Sequence, residues 1–278
     1  MLKKIFVLAV AAAMLLSVSA FAADTFEGYT IPVDIEVNGS FVKCTEKPVL
    51  IDGITYIPLR AFSDSVSGEI KWNQQEMAAT MTKDGHSFVF YTNKSYCLID
   101  GAEKNYPSVL YNNLTFIPVR AVSETLGYSV EWDSFYMTVK ITAPGVAVPD
   151  YMKDTSYTYE DMLYLGKIIY IESGAQPFKG MLAIGGVVIN RVKSPLFPGG
   201  IKEVIFDTKY GVQFPPAHTD RINVTPSAAC MIAAKCALNG VNVVRNSLYF
   251  VSAKSAASSW VGKNRPYCTT IHGVAFYE

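Results

Sequence analysis

Thr158-Tyr159-Glu160-Asp161-Met162-Leu163-Tyr164-Leu165-Gly166-Lys167-Ile168-Ile169-Tyr170-Ile171-Glu172-Ser173-Gly174 decides how the second half of the chain is read. Thr158 and Asp161 form a helix-start pair, and Met162, Leu165, Ile169 and Glu172 then recur at spacings of three, four and three. Ser173-Gly174 ends the helix. A carboxylate therefore takes the last place on an apolar, inward-facing stripe. At the negative end of a helix and partly desolvated, such a group is biased towards its protonated form, which is the form a general acid needs. A glutamate that simply points to water from a fraying end has the same spacing, so the neighbouring sequence must decide.

That sequence is helical and apolar. Residues 178–192 predict a second helix with Met181, Ile184, Val188 and Val192 on one side, and Gly185-Gly186 allows close approach of another helix. A loop bounded by Pro195 and Pro198 follows. A third helix is capped by Thr225 or Ser227 and stopped by Gly240.

The first half is a duplication. Thr55-Tyr56-Ile57-Pro58-Leu59-Arg60-Ala61 returns as Thr115-Phe116-Ile117-Pro118-Val119-Arg120-Ala121, and 117 − 57 = 60 is an offset that also carries Trp72 onto Trp132. Each copy predicts a short strand, a proline in the first helical turn, and a small helix closed by Gly68 or Gly127. Arg60 and Arg120 are a repeated pair that either binds a ligand or braces each copy. Between the halves, Ala143-Pro144-Gly145-Val146-Ala147-Val148-Pro149-Asp150 breaks both periodicities and reads as a linker with few contacts across it. The fold class is thus α+β: a β-rich duplicated module with short helices, then a mainly α domain.

Residues 1–23 read as an export signal, because Lys3 and Lys4 precede the apolar run from Ile5 to Val18 and the A-x-A pattern Ala20-Phe21-Ala22. The mature chain is expected to start near Ala23 or Asp24, without a membrane span after cleavage. The 24 basic and 24 acidic residues balance without long runs, which argues against a nucleic-acid partner. Tyrosine and phenylalanine are plentiful, which suits sugar stacking and an ordinary core alike. Five cysteines, Cys44, Cys97, Cys230, Cys236 and Cys268, leave at least one unpaired, and Cys230 and Cys236 fall on different faces of a helix.

Two resemblances carry these observations further. Residues 31–142, with Val37-Asn38-Gly39, both I-P-[LV]-R-A blocks and both tryptophans, resemble the copper amine oxidase N-terminal-like domain, a stalk module of Gram-positive surface proteins. No copper is expected, since His86 has no second imidazole nearby. Residues 156–278, beyond a linker at 143–155, resemble the spore-cortex-lytic, SleB-type cell wall hydrolase family. The match runs through Ile168 to Ala175, Val188 to Val192, Phe197-Pro198, Gln213-Phe214, Leu248 to Phe250 and Ile271 to Tyr277. It implies a lysozyme-like fold and cleavage of peptidoglycan strands between N-acetylmuramic acid and N-acetylglucosamine, in cell wall or spore cortex, by a secreted or envelope enzyme of a Gram-positive-type bacterium. The repeat module is then a candidate contact to wall or surface polymer.

Carried over residue by residue, the catalytic glutamate falls on Glu172, while Gln213, Phe214 and Tyr249 fall where the glycan cleft is lined. Ser173 and Gln176 depart from the alanine and acidic residue common in the family. Trp260 is a candidate sugar-stacking platform on a serine-rich loop, with core packing as the alternative. Asn190-Arg191 is expected to hold a helix-loop junction. Glu203, Asp207 and Asp220 lie in loop-like sequence as solvated charges, so only one carboxylate is placed. That favours lytic transglycosylation, with 1,6-anhydromuramic ends, over a hydrolytic muramidase or glucosaminidase, which needs two.

Other classes remain. A zinc amidase needs three protein ligands, and this half holds only His218 and His272, so neither metal nor cofactor is expected. A thiol peptidase would use Cys268 and His272, four apart in a strand-like tail, an unusual arrangement for a nucleophile and its base. A non-catalytic wall-binding protein, with Glu172 structural, is the reading from outside enzymology.

Overall fold

The computed structural model describes residues 23–209 and 211–278. The export signal read at the N-terminus lies, up to residue 22, outside the described residues. The architecture is α+β, β-rich first and helical second.

In the first half, the two copies meet strand to strand. Ile54–Pro58 and Leu114–Pro118 pair antiparallel with Ile57 opposite Ile117, Tyr56 opposite Pro118 and Pro58 opposite Phe116. Ile57 and its equivalent Ile117 thus face each other at the centre of a symmetric pairing, and both are buried in the module's core. Val49–Ile51 and Val109–Tyr111 flank this sheet. Each copy continues into a short helix, α1 (Leu59–Ser65) or α2 (Val119–Thr125), and a hairpin, Glu69–Asn73 with Ala78–Lys83 or Ser129–Asp133 with Thr138–Thr142. Pro58 and Pro118 cap these helices rather than entering their first turn. In the second copy Gly127 adopts the expected left-handed conformation (φ 77°), but its counterpart, 127 − 60 = 67, is Ser67 (φ 57°), one residue before the expected Gly68.

The second half packs α3 (Tyr159–Ser173), α4 (Phe178–Lys193), α5 (Ile201–Ile205), α6 (Ala228–Leu238) and α7 (Trp260–Asn264) with a three-stranded antiparallel sheet. In that sheet Val274–Tyr277 runs between Tyr249–Ser252 and Tyr267–Ile271. Thr158 starts α3 with a full capping box to Asp161, a device that contributes about 1 kcal/mol. Ser227, not Thr225, caps α6. Met162, Leu165 and Ile169 are buried, as their stripe requires. A Cβ on Gly185 would come within 3.0 Å of Ile169 Cδ1 and 3.1 Å of Ala237 Cβ, so the glycine is what lets α4 lie between α3 and α6. All five cysteines are free thiols.

The expectation of few contacts across residues 143–155 is not met. Asn38 Nδ2 donates to the carbonyls of Ala143 and Val146, and Val42 bridges to Lys153. Met137, Tyr157, Met162 and Met231 form a buried cluster drawn from both halves. Lys235 of α6 is fully buried against the carbonyls of Tyr136 and Met137 and ion-pairs with Asp34. Even the first strands cross over: the rings of Phe26 and Tyr29 lie 5.0 and 5.5 Å from that of Phe178. The prolines and glycine of the connection break periodicity, but they do not stop its backbone from pairing.

Candidate active site

Glu172 sits in the last turn of α3, half-buried, after three fully inward residues of its stripe. Burial raises the pKa of its carboxyl, and the positive charge of Arg221 partly offsets this. Arg221 reaches the same helix end, its Nη2 lying 3.5 Å from the Ile171 carbonyl. Among the described residues no second carboxylate contributes to the shift. The group is biased towards holding a proton by its surroundings, with no like charge involved.

The carboxyl opens on a groove of about 290 Å³ that it shares with Arg191, Gln213, Tyr249 and Val261. Gln213 and Tyr249, placed there by resemblance, do line it. Gln213 follows the turn after α5, and its side-chain amide donates to the Gly211 carbonyl at 3.0 Å. Tyr249 opens the strand Tyr249–Ser252, and its hydroxyl accepts from Arg265 Nη2 at 2.9 Å.

Phe214 does not reach the groove. It is fully buried, 6.1 Å ring to ring from Phe250, and its face supports the Arg191 guanidinium at 5.0 Å. A residue next to a polar groove-liner need not share its face, and here the backbone turns Phe214 into the core. Trp260 is neither a core residue nor on a loop. It begins α7, capped by Ser259, and is 63% exposed. It stands outside the lining set, and Arg265 links it to Tyr249 with its guanidinium 5.4 Å from one ring and 4.5 Å from the other.

Arg191 was missed by sequence reasoning as a groove residue. Asn190 holds the expected junction, donating to the carbonyls of Arg245 and Ser247. Arg191 helps hold the same segment and in addition lines the groove. Its Nε donates to the Leu248 carbonyl at 2.7 Å, its guanidinium lies among Phe197, Phe214 and Tyr249, and its Nη1 is buried without a partner. Burial pushes its pKa down to about 10, against the pull of Tyr249 and Asp207, so it stays charged at neutral pH. A guanidinium lining a groove is a ready donor to an anionic or carbonyl oxygen. The signal in the sequence was an arginine at the end of an otherwise apolar helix.

Of the three spare carboxylates, two are solvated as expected and one is not. Glu203 is exposed on α5 and Asp220 is exposed in the turn Asp220–Asn223, but Asp207 is buried, with Oδ1 accepting from the Lys209 amide and Oδ2 unpartnered. His218 and His272 are both exposed, and the Cys268 thiol donates to the Val244 carbonyl.

Comparison with known proteins places this geometry in context. A family model for the copper amine oxidase N-terminal domain matches residues 36–141 and again 105–161. A model for Cell Wall Hydrolase matches residues 175–277, starting just after Glu172. The spore cortex-lytic enzyme of Bacillus cereus is 30% identical over 105 residues, covering 38% of this chain and 39% of that protein. The spore cortex-lytic enzyme of Bacillus subtilis is also 30% identical over 105 residues, covering 38% of this chain and 33% of that one. The chain therefore aligns with well under half the length of these relatives. The catalytic domain of the germination-specific lytic transglycosylase SleB from Bacillus anthracis is 28% identical with a TM-score of 0.40, covering 47% of this chain and all of that one. Residues 36–161 thus match the copper amine oxidase N-terminal domain model in two overlapping segments, and residues 175–277 match the Cell Wall Hydrolase model.

Proposed function

We propose that this chain is an exported peptidoglycan-cleaving glycosidase, acting in spore cortex or cell wall, with Glu172 as its acid and then its base. The catalytic domain is residues 156–278 and the duplicated module is residues 31–142. The observation that carries this is a half-buried carboxyl with a raised pKa, opening on a groove beside a buried arginine and a tyrosine. The names of the relatives support the substrate: those proteins are cortex-lytic enzymes.

The groove residues suffice for one route. Protonated Glu172 gives its proton to the glycosidic oxygen as the bond to C1 of N-acetylmuramic acid breaks. The resulting carboxylate takes the proton of the same sugar's C6 hydroxyl, whose oxygen closes on C1. The nucleophile is part of the substrate, so orientation replaces an activated water. Arg191 and Gln213, which line the groove, would hold substrate oxygens, and Tyr249 would offer an aromatic face. No cofactor enters these steps.

Purified sacculi containing muramic acid test this. The full chain should lower their turbidity and release soluble glycan, and Glu172→Gln should not. Sedimentation with the sacculi at constant turbidity would make the protein a binder and remove the assignment.

A further inference from the structure

We propose that the groove around Arg120 and Trp132 of the second copy, walled on one side by Leu50 and Ile54 of the first, binds an N-acetylated, carboxylate-bearing glycan strand, and that the counterpart around Arg60 and Trp72 does not. The site is the groove of about 420 Å³ bounded by Leu50, Ile54, Tyr106, Arg120, Glu124 and Trp132, a size within the range of about 300–1,000 Å³ typical of ligand sites. Because the copies are related by an offset of 60, each feature of this groove has a counterpart that shows what the fold alone requires.

Trp132, 37% exposed, has no partner for its indole N–H among the described residues, whereas Trp72 donates its own to Gln74 Oε1 at 3.0 Å. The counterpart of Gln74 is Ser134, which is too short to do the same. Arg120 is fixed through Nη1 to the Val130 carbonyl at 2.9 Å and to Glu124 at 3.2 Å, which leaves Nε and Nη2 free. Among the described residues Arg60 makes no such bonds, and 106 − 60 = 46 puts Glu46 where the second copy has Tyr106. The second groove thus combines two aromatic residues, an apolar wall, an unpartnered donor and a pre-positioned guanidinium.

Aromatic and apolar walls suit the C–H face of a pyranose, the indole N–H suits a hydroxyl or acetamide oxygen, and the free guanidinium edge suits a carboxylate such as a lactyl group. The choice of glycan rests on the function proposed above; the asymmetry of the two grooves does not. Such a site would hold the strand that α3 and its groove cut, and would add avidity without new catalytic contacts.

The full chain carrying Glu172→Gln, titrated with a tetrasaccharide of alternating N-acetylglucosamine and N-acetylmuramic acid, tests this by the indole N–H resonances, with Trp132→Phe giving the assignment. The Trp132 resonance should move and that of Trp72 should not. In pelleting with sacculi stripped of their stem peptides by an amidase, which frees the lactyl carboxylates, Trp132→Ala and Arg120→Ala should each weaken retention about tenfold, and Trp72→Ala and Arg60→Ala should leave it unchanged. Chitotetraose, lacking the lactyl carboxylate, should bind more weakly and become insensitive to Arg120→Ala. An unmoved Trp132 resonance, or equal loss from both copies, would overturn the proposal. Loss of cleavage by the unsubstituted chain, with the Trp132 response intact, would instead remove the catalytic assignment and leave this site standing.

Discussion

Lys235 Nζ, in the catalytic half, lies 2.8 Å from Asp34 Oδ2, in the duplicated half, and both side chains are buried. Asp34 also accepts from the Tyr157 hydroxyl through both oxygens, and Asn239 donates to that hydroxyl at 3.2 Å. Buried charges need such satisfaction, because an unpaired one costs several kcal/mol. The two halves are therefore joined by a polar knot inside an apolar cluster, and should unfold together.

Removing one member should show this. Lys235→Met leaves Asp34 with only the partly exposed Lys47, 3.5 Å away, and Asp34→Asn leaves Lys235 buried without a counter-charge; each is expected to cost about 3–5 kcal/mol. Thermal unfolding followed at tryptophan and by far-ultraviolet dichroism should give one transition for the parent chain. Two separated transitions in the parent would contradict the coupling. A fragment of residues 156–278 should be far less stable than the full chain, since it exposes Lys235 and the Met162–Met231 cluster.

Glu172→Gln should lower cleavage by about 10²–10⁴-fold, the usual contribution of acid catalysis, while keeping the fold. It also carries a stability signature. The carboxyl of Glu172 has a raised pKa, so the folded chain holds its proton more tightly than the unfolded chain does. That contribution is fully present below the ordinary glutamate value of about 4.3 and is lost as pH rises through the folded value. The amide has no such loss. The melting temperature of the variant relative to the parent should therefore rise between pH 4 and pH 8, and a relative fall over that range would contradict burial as the cause.

Asp207→Asn separates one carboxylate from two. Asp207 is buried and acts on Arg191, but nothing in the environment of Glu172 involves it. Cleavage should fall by less than about tenfold, through a looser Arg191, compared with the larger factor at Glu172. A loss matching that of Glu172→Gln would make Asp207 the missing second carboxylate and favour hydrolysis.

Local signals carried the parts of this fold that local physics governs. The capping box at Thr158, the Met162–Glu172 stripe and the glycines of α4 are short-range features, and all three stand in the structure. The duplication was legible as an offset, but its meaning, Ile57 facing Ile117, is a pairing between distant strands and carries no spacing of its own. Lys235 was hidden for the opposite reason. Within Ala228–Leu238 it is the only charge, a lone cation on an apolar helix, and its partner stands some two hundred residues away, 235 − 34 = 201. In the groove, Gln213 and Tyr249 came from resemblance, while the inward turn of Phe214 and the groove-facing Arg191 depend on backbone direction at loop and helix ends.

The ends of the glycan fragments test the central claim most directly, because a single carboxyl that serves as acid and then base leaves a chemical record. Sacculi digested by the unsubstituted chain, analysed by mass spectrometry before and after borohydride treatment, should yield fragments one water lighter than hydrolysed ones, resistant to reduction and ending in 1,6-anhydromuramic acid. Fragments ending only in reducible muramic acid would contradict the account and require a second carboxylate opposite Glu172.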